Sequence, residues 1–186
     1  MSDAGGLSIE ALTEADLHAA AGFDASFVVH QRVRLSMRED GGLSYISEPL
    51  RPPYRKHYRD DADAEALREY LGDGADFAAY LARKDGQVVG RVLLSRTWNG
   101  YAGIDDIAVA AGARRSGAGS ALLRQALAWA RERGLPGVML ETQDTNVGAC
   151  ALYQRNGFVL GGFDRFHYAN EPDLQHETAL FWYCRF

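Results

Sequence analysis

A chain of 186 residues, 47% hydrophobic and 24% charged, has the balance of a single globular domain and can bury roughly 70% of its unfolded surface. Its 20 Lys plus Arg against 25 Asp plus Glu give a formal net charge of −5, which excludes a general nucleic-acid binder with a basic footprint and favours cationic or neutral partners. Two cysteines, Cys150 and Cys184, are too few for a disulfide scaffold or a structural zinc site, and no apolar run reaches the ~18 residues a membrane helix needs.

The opening residues lack a basic-then-apolar signal pattern, so a reducing cytoplasm is the expected location. Residues 1–6 read as a disordered start, and Leu7 to Leu12 as a short strand or an opening helix. Thr13 followed by Glu14 and Asp16 offers a helix cap with acids in the first turn. Phe27 to Leu35 is β-branched and partly alternating, so a strand. Gly41-Gly42 is a turn before a second strand through Leu43, Tyr45 and Ile46, and Pro49, Pro52 and Pro53 are expected to break regular structure. From Asp60 to Asp76 seven acids face one base, Arg68, and part of the stretch, about 62–71, looks helical.

Phe77 to Ala82 and Val88 to Ser95 are strands joined by the hairpin signal Asp85-Gly86; Asn99-Gly100 turns into a third strand, Tyr101 to Val109. The apolar period then changes. Leu122, Ala126, Trp129 and Arg133 share a helical face widened by Leu123, Leu127 and Ala130, and Gly134 ends it. Val138 to Thr142 is a strand. Asn146 caps a second helix that Gly157 ends, and two paired strands follow, from Phe158 onward and from Ala179 to Phe186. This order describes a mixed α/β sheet flanked by helices, with no internal repeat or linker.

Two blocks carry chemistry. In the first, strand Ile104 to Val109 runs into the loop Arg114-Arg115-Ser116-Gly117-Ala118-Gly119, and a long helix starts immediately after. Glycines let backbone N–H groups face an anion, the helix N-terminus adds partial positive charge, and Arg114 and Arg115 add full charges: together, a pyrophosphate cradle. No Gly-Lys-Ser/Thr follows, so it is not a nucleotide P-loop. Taken alone, an ordinary strand-to-helix turn has the same glycines. In the second block, Asn146, Ala149, Tyr153 and Gly157-Phe158, a small residue and a tyrosine lie four apart on one helical face. A thioester arm could pass Ala149 while Tyr153 donates a proton; a capped helix with a core tyrosine is the plainer alternative.

Arg114-x-x-Gly117-x-Gly119, followed by this Asn/Ala/Tyr/Gly-Phe pattern, resembles the GNAT superfamily of acetyl-CoA-dependent N-acetyltransferases. The runs 97–109, Leu140 to Asn146 and Phe181 to Phe186 further resemble the streptothricin acetyltransferases, over roughly residues 77–186. Two positions depart from the superfamily pattern: Ala111 stands where proline is frequent and Arg115 where glycine is frequent.

The resemblance implies one N-acetyltransferase domain over 1–186, α/β (α+β) with the GNAT fold, and direct transfer from acetyl-CoA to a primary amine, foremost the β-lysine amino group of streptothricin. It implies pantetheine along strand 104–109, bonded by the backbone of Ile107, Ala108 and Val109. The diphosphate then lies on Arg114, Arg115, Ser116, Gly117, Ala118, Gly119 and Ser120, with Asn146, Ala149 and Tyr153 completing the cofactor site. The expected partner is a small cationic amine, with no metal, nucleic acid or membrane, and a homodimer is allowed. Acetylation of another amine, such as a protein lysine or polyamine, and a non-catalytic acyl-CoA-binding module are the alternatives.

An aliphatic amine has a pKa near 10.4, so at pH 7 only about one in 2,500 is neutral and able to attack. A base must take the proton. Glu141 leads, with Asp105 and Asp106 as rivals that would point to opposite faces of their strand, and a water relay as the alternative. Tyr153 would protonate the departing thiolate. Asp105, Asp106, Glu141 and Trp182 are the acceptor-side residues, and the acids at 60–76 with Asp173 would steer a cation. Trp98, Tyr101, Phe181, Trp182 and Tyr183 are expected mostly in core or sheet-edge packing, and Cys150 as a buried free thiol.

Overall fold

The computed structural model describes residues 6–57 and 63–186. Its strands and helices in chain order are β1 (Leu7–Ala11), α1 (Leu17–Ala21), β2 (Phe27–Met37), β3 (Leu43–Lys56), β4 (Phe77–Lys84), β5 (Gln87–Arg96) and β6 (Ala102–Val109). There follow α2 (Ala118–Glu132), β7 (Gly137–Gln143), α3 (Val147–Arg155), β8 (Val159–Asp164) and β9 (Ala179–Arg185). Short 3-10 turns lie at Glu14–Asp16, Ala66–Tyr70 and Ala111–Ala113. The described residues divide into two compact units: one from Met1–Ser26 and His57–Val138, the other from Phe27–Lys56 and Met139–Phe186.

In the first unit the strand order is β1-β4-β5-β6, with every neighbour antiparallel. Leu7 to Ala11 is thus a strand, paired to β4 from Leu7↔Lys84 to Ala11↔Tyr80. The β4–β5 hairpin closes through Asp85 (φ 51°) and Gly86 (φ 78°), the two left-handed residues a tight hairpin requires. On one sheet face Ala79, Leu81 and Leu93 bury against Leu12, Leu17, Ala20 and Leu67. On the other, α2 lays down Ala118, Ala121, Leu122, Leu123, Ala126, Leu127, Trp129 and Ala130, all buried as the 3.6-residue period predicts. Arg133 ends that stripe without a buried charge: its guanidinium lies 4.5 Å from the Trp129 ring centroid and reaches the carbonyl of Gly74 (2.8 Å) and the carboxylate of Asp73 (2.5 Å). Gly90 is required where α2 approaches β5, because a Cβ there would sit 2.8 Å from the Ala108 carbonyl and 3.2 Å from Leu122 Cδ1.

In the second unit the sheet order is β7-β9-β8, beside a two-stranded antiparallel ribbon, β2-β3. The paired terminal strands are as expected, Val159↔Tyr183 to Asp164↔Ala179.

Three expectations are corrected. Strand β3 runs through Pro49, Pro52 and Pro53 to Lys56; the prolines shift its register, from Val29↔Tyr54 to Gln31↔Pro49, rather than ending it. A two-stranded ribbon leaves outward N–H positions where a missing donor does no harm. Of the helix expected at about 62–71, the described residues 63–71 contain the 3-10 turn Ala66–Tyr70, started by Asp63, whose carboxylate accepts from the Ala66 N–H at 2.8 Å. Trp98 is not packed: it stands 96% exposed at the β5–β6 turn. The disordered-start expectation for 1–5, and Asp60 and Asp61 of the acidic stretch, lie outside the described residues.

Candidate functional site

In the first unit, β6 pairs with β5 through Val92↔Ile107, Arg91↔Ala108 and Gly90↔Val109. The chain then makes the 3-10 turn Ala111–Ala113, tied to the segment after α1 by the Ala111 N–H on the Asp24 carbonyl (2.9 Å). Two left-handed residues follow, Arg115 (φ 66°) and Gly117 (φ 91°), separated by Ser116. Gly117 is the N-cap of α2, so the N–H groups of Ala118, Gly119 and Ser120 have no acceptor within the helix. A Cβ on Gly117 would touch nothing within 4 Å; the demand for glycine is conformational, not spatial. Alternating backbone signs over an open helix N-terminus make a concave set of donors suited to an anion. Arg115 adopts the backbone conformation a glycine would take.

The two arginines differ. Arg114 donates to the Ala25 carbonyl (2.6 Å). Arg115 is exposed and makes no hydrogen bond or ion pair among the described residues.

Asp105 and Asp106 do not simply alternate. The register slips between Leu94↔Ile104 and Leu93↔Asp106, leaving Asp105 in a bulge. Its carboxylate accepts from Ser95 Oγ (2.8 Å) and the Tyr70 hydroxyl (3.0 Å). Although the residue as a whole is exposed, loss of water around the carboxyl head pushes its pKa up; the two hydroxyl donors oppose this, and Glu69 and Asp106 add to it. Asp106 is committed to Arg91 (2.7 Å), whose buried guanidinium also reaches the Ala20 carbonyl (2.6 Å). Among the steering acids, Asp73 is paired with Arg133 and Glu65 with Arg68.

In the second unit, Glu141 lies mid-β7 and its Oε1 accepts a hydrogen bond from the Tyr168 hydroxyl. Tyr168 is 4% exposed, in the segment between β8 and β9, and the His167 ring stands edge-on to it at 4.9 Å. Burial pushes the Glu141 carboxyl above the ordinary range; the Tyr168 hydrogen bond, His167 and Lys56 pull it down, and Glu171 pushes it up. The Tyr168 phenol is driven well above its usual pKa by burial and by the adjacent Glu141, so it remains a donor. The result is an ionisable carboxyl moved toward neutrality with one oxygen already fixed, an arrangement suited to accepting a proton.

Helix α3 is capped as predicted: Asn146 Oδ1 accepts from the Ala149 N–H (3.1 Å). At its other end Gly157 (φ 86°) lets the Phe158 N–H return to the Tyr153 carbonyl at 3.1 Å. Tyr153 is 4% exposed, its ring 6.1 Å from Phe158 and 6.0 Å from Trp182. Trp182 is 1% exposed, and its indole N–H is buried with no hydrogen-bond partner among the described residues. Cys150 is a buried free thiol whose pKa burial pushes up to about 12, so it is not a nucleophile.

Each unit thus assembles its own set: the open turn and Asp105 in one, and Glu141, Asn146, Ala149, Tyr153 and Trp182 in the other. Sequence reasoning missed Tyr168, a tyrosine in a polar loop with no spacing to mark it. Among the described residues no His, Cys, Asp or Glu cluster could hold a metal, and no helix is long and apolar enough to cross a membrane.

Comparison with known proteins defines the class. The acetyltransferase (GNAT) family model matches residues 43–158, and the chain belongs to that family. Its fold is the expected α+β GNAT fold, and it is an acetyltransferase. Streptothricin acetyltransferase A of Bacillus subtilis (strain 168) is 41% identical over 160 residues, 86% of this chain and 89% of the relative. A Bacillus anthracis str. Ames protein described as a streptothricin acetyltransferase, crystallised in complex with acetyl coenzyme A, superposes with a TM-score of 0.85 at 37% identity, covering 97% of this chain and 99% of the other. Nourseothricin acetyltransferase superposes at 0.79 with 29% identity, over 97% and 98% of the two chains.

Proposed function

We propose that this chain, acting as a single N-acetyltransferase domain in a reducing cytoplasm, moves the acetyl group of acetyl-CoA onto the β-lysine amino group of streptothricin and so confers resistance to it. The observation that carries this reading is the 41% identity, over 86% of the chain, to a streptothricin acetyltransferase.

The residues present fit the cosubstrate. The paired left-handed residues Arg115 and Gly117, with the open N-terminus of α2, suit a diphosphate, and the exposed Arg115 guanidinium adds a full charge. The backbone of Ile107, Ala108 and Val109 would bond the pantetheine arm, and Asn146 and Ala149 would contribute to cofactor binding. Bound there, acetyl-CoA supplies an electrophilic thioester carbonyl.

The remaining steps fall to this chain's side chains. Asp105, exposed and held by two hydroxyl donors, meets the charge of the incoming ammonium. Glu141, with Oε1 fixed by Tyr168, takes its proton through the other oxygen. Backbone N–H groups around Ile107–Val109 polarise the carbonyl under attack. Tyr153 gives its proton to the departing sulfur and is restored by the second proton that the acylated nitrogen loses, a useful but not essential relay because a thiol has a pKa near 8.5.

The test is thiol release from acetyl-CoA with a panel of amines that includes streptothricin and free lysine, followed by mass spectrometry. Gain of one acetyl group on the antibiotic is the expected outcome. Efficient transfer to the other amines with none to streptothricin would refute the assignment of acceptor, and tight cofactor binding without any turnover would refute the enzyme.

A further inference from the structure

Helix α3 is gripped at both ends by the β2–β3 ribbon. At its start, Arg32 on β2 donates to Asp144 Oδ2 from both Nη2 (2.6 Å) and Nε (3.2 Å). Asp144 is otherwise fully engaged: its carbonyl accepts from the Val33 N–H (2.7 Å), its N–H donates to the Thr178 carbonyl (2.9 Å), and Oδ1 accepts from the Thr178 N–H (3.2 Å). The next residue, Thr145, accepts from Lys56 at the end of β3 (3.3 Å). Lys56 also pairs with Glu177, and their side chains are 6% and 7% exposed. Asn146, the helix cap, follows directly. Beyond the catalytic position, the Tyr45 hydroxyl of β3 donates to Gln154 Oε1 (3.0 Å), and the Tyr45 ring stands edge-on to Trp182 at 5.8 Å, on the indole that packs against Tyr153.

A buried ion pair contributes little net stability, because desolvation offsets most of the attraction. Two cations of one ribbon fixing consecutive residues of one turn supply direction instead: they set where α3 begins, and therefore where a hydroxyl two turns along it stands.

We propose that the β2–β3 ribbon is a brace for the catalytic helix, with Arg32 and Lys56 as positioning residues for the Tyr153 hydroxyl through the Asp144–Thr145 turn. This rests on Tyr153 being the proton donor. The experiment therefore measures kcat, KM for acetyl-CoA and melting temperature for the parent enzyme, Tyr153→Phe, Lys56→Met with Glu177→Gln, Arg32→Met and Arg32→Lys, and for the Lys56/Glu177 and Arg32→Met changes placed in the Tyr153→Phe background.

The expected result is a loss in kcat of about tenfold to a hundredfold for the Lys56/Glu177 pair and for Arg32→Met, as for a catalytic group displaced by an ångström. Arg32→Lys recovers part of that loss, and, at a pH high enough to keep Glu141 ionised in every variant, neither change lowers kcat more than about twofold further once the Tyr153 hydroxyl is gone, because groups acting as a unit are not additive. Full turnover in the folded variants, or losses that multiply with that of Tyr153→Phe, would overturn the brace. Arg32→Met decides the matter if the Lys56/Glu177 variant does not fold, since the Arg32 side chain is 36% exposed and the Asp144 carboxylate it leaves keeps the Thr178 N–H as a donor. Undiminished turnover in Tyr153→Phe alone removes the donor and the brace with it, whereas a normal Tyr153→Phe defect beside unaffected ribbon variants removes only the brace.

Discussion

Glu141 and Tyr168, 27 residues apart in sequence, share one hydrogen bond in which the phenol donates to Oε1. That bond favours the ionised carboxyl, while burial, the larger influence, favours the neutral one. In its proposed role as base, Glu141 must be ionised, so kcat/KM is expected to fall as pH drops through its raised pKa. Tyr168→Phe removes an influence that lowers the pKa, so it rises further and the acid limb moves to higher pH. A pH–rate profile checks this; a limb that stays in place or moves to lower pH would contradict the role of Tyr168. Glu141→Gln, which cannot accept the proton, is expected to lose about 10²–10⁴-fold in kcat at every pH.

Tyr153 is buried beneath Phe158 and Trp182, and Tyr153→Phe removes only its hydroxyl. Packing and fold are retained, and the melting temperature is expected to be nearly unchanged. Turnover falls by about ten- to a hundredfold, at the low end of general-acid effects because the leaving thiolate is already stable. The dissociation constant for acetyl-CoA, read by calorimetry, changes far less. Equal losses in affinity and turnover would instead make the hydroxyl a binding group.

The sequence shows most clearly what depends on neighbours a few residues away. The β4–β5 hairpin follows from Asp85-Gly86, the α3 cap from Asn146, and the buried face of α2 from a single period. What it hides depends on partners far along the chain. The bulge at Asp105 exists because β5 offers Leu93 and Leu94 as successive partners, so simple alternation misplaces the two aspartates. The prolines of β3 look like breakers until the pairing with β2 is known. Tyr168, Arg32 and Lys56 carry no motif; their meaning comes from the carboxylates and the hydroxyl they meet.

The turn before α2 holds two left-handed residues, only one of them a glycine. Gly117→Ala adds a methyl that meets no atom but forces an unfavourable φ, costing about 1–2 kcal/mol. Acetyl-CoA affinity should fall with it as the turn relaxes. Arg115→Gly does the opposite to the backbone, relieving about 1 kcal/mol of strain. It also removes a guanidinium with no partner among the described residues, so acetyl-CoA should bind roughly tenfold more weakly while the protein melts no lower. Thermal denaturation and calorimetry on both variants separate the two effects; unchanged affinity in Arg115→Gly would show that the backbone alone grips the phosphates.

Trp98 and Leu122 test how far residue type alone predicts stability. Trp98 is the larger and more apolar, yet it is 96% exposed, and Trp98→Ala should change stability by no more than about 0.5 kcal/mol. Leu122 is fully buried in the first half of α2 and touches the space Gly90 leaves open. Leu122→Ala leaves a cavity and should cost about 2–5 kcal/mol. Because the loss falls where α2 seats on β5, acetyl-CoA added in excess should recover part of the lost melting temperature by favouring the folded state. Urea denaturation of both variants, with and without acetyl-CoA, measures the contrast; a Trp98→Ala loss as large as that of Leu122→Ala would mean the tryptophan is packed in solution.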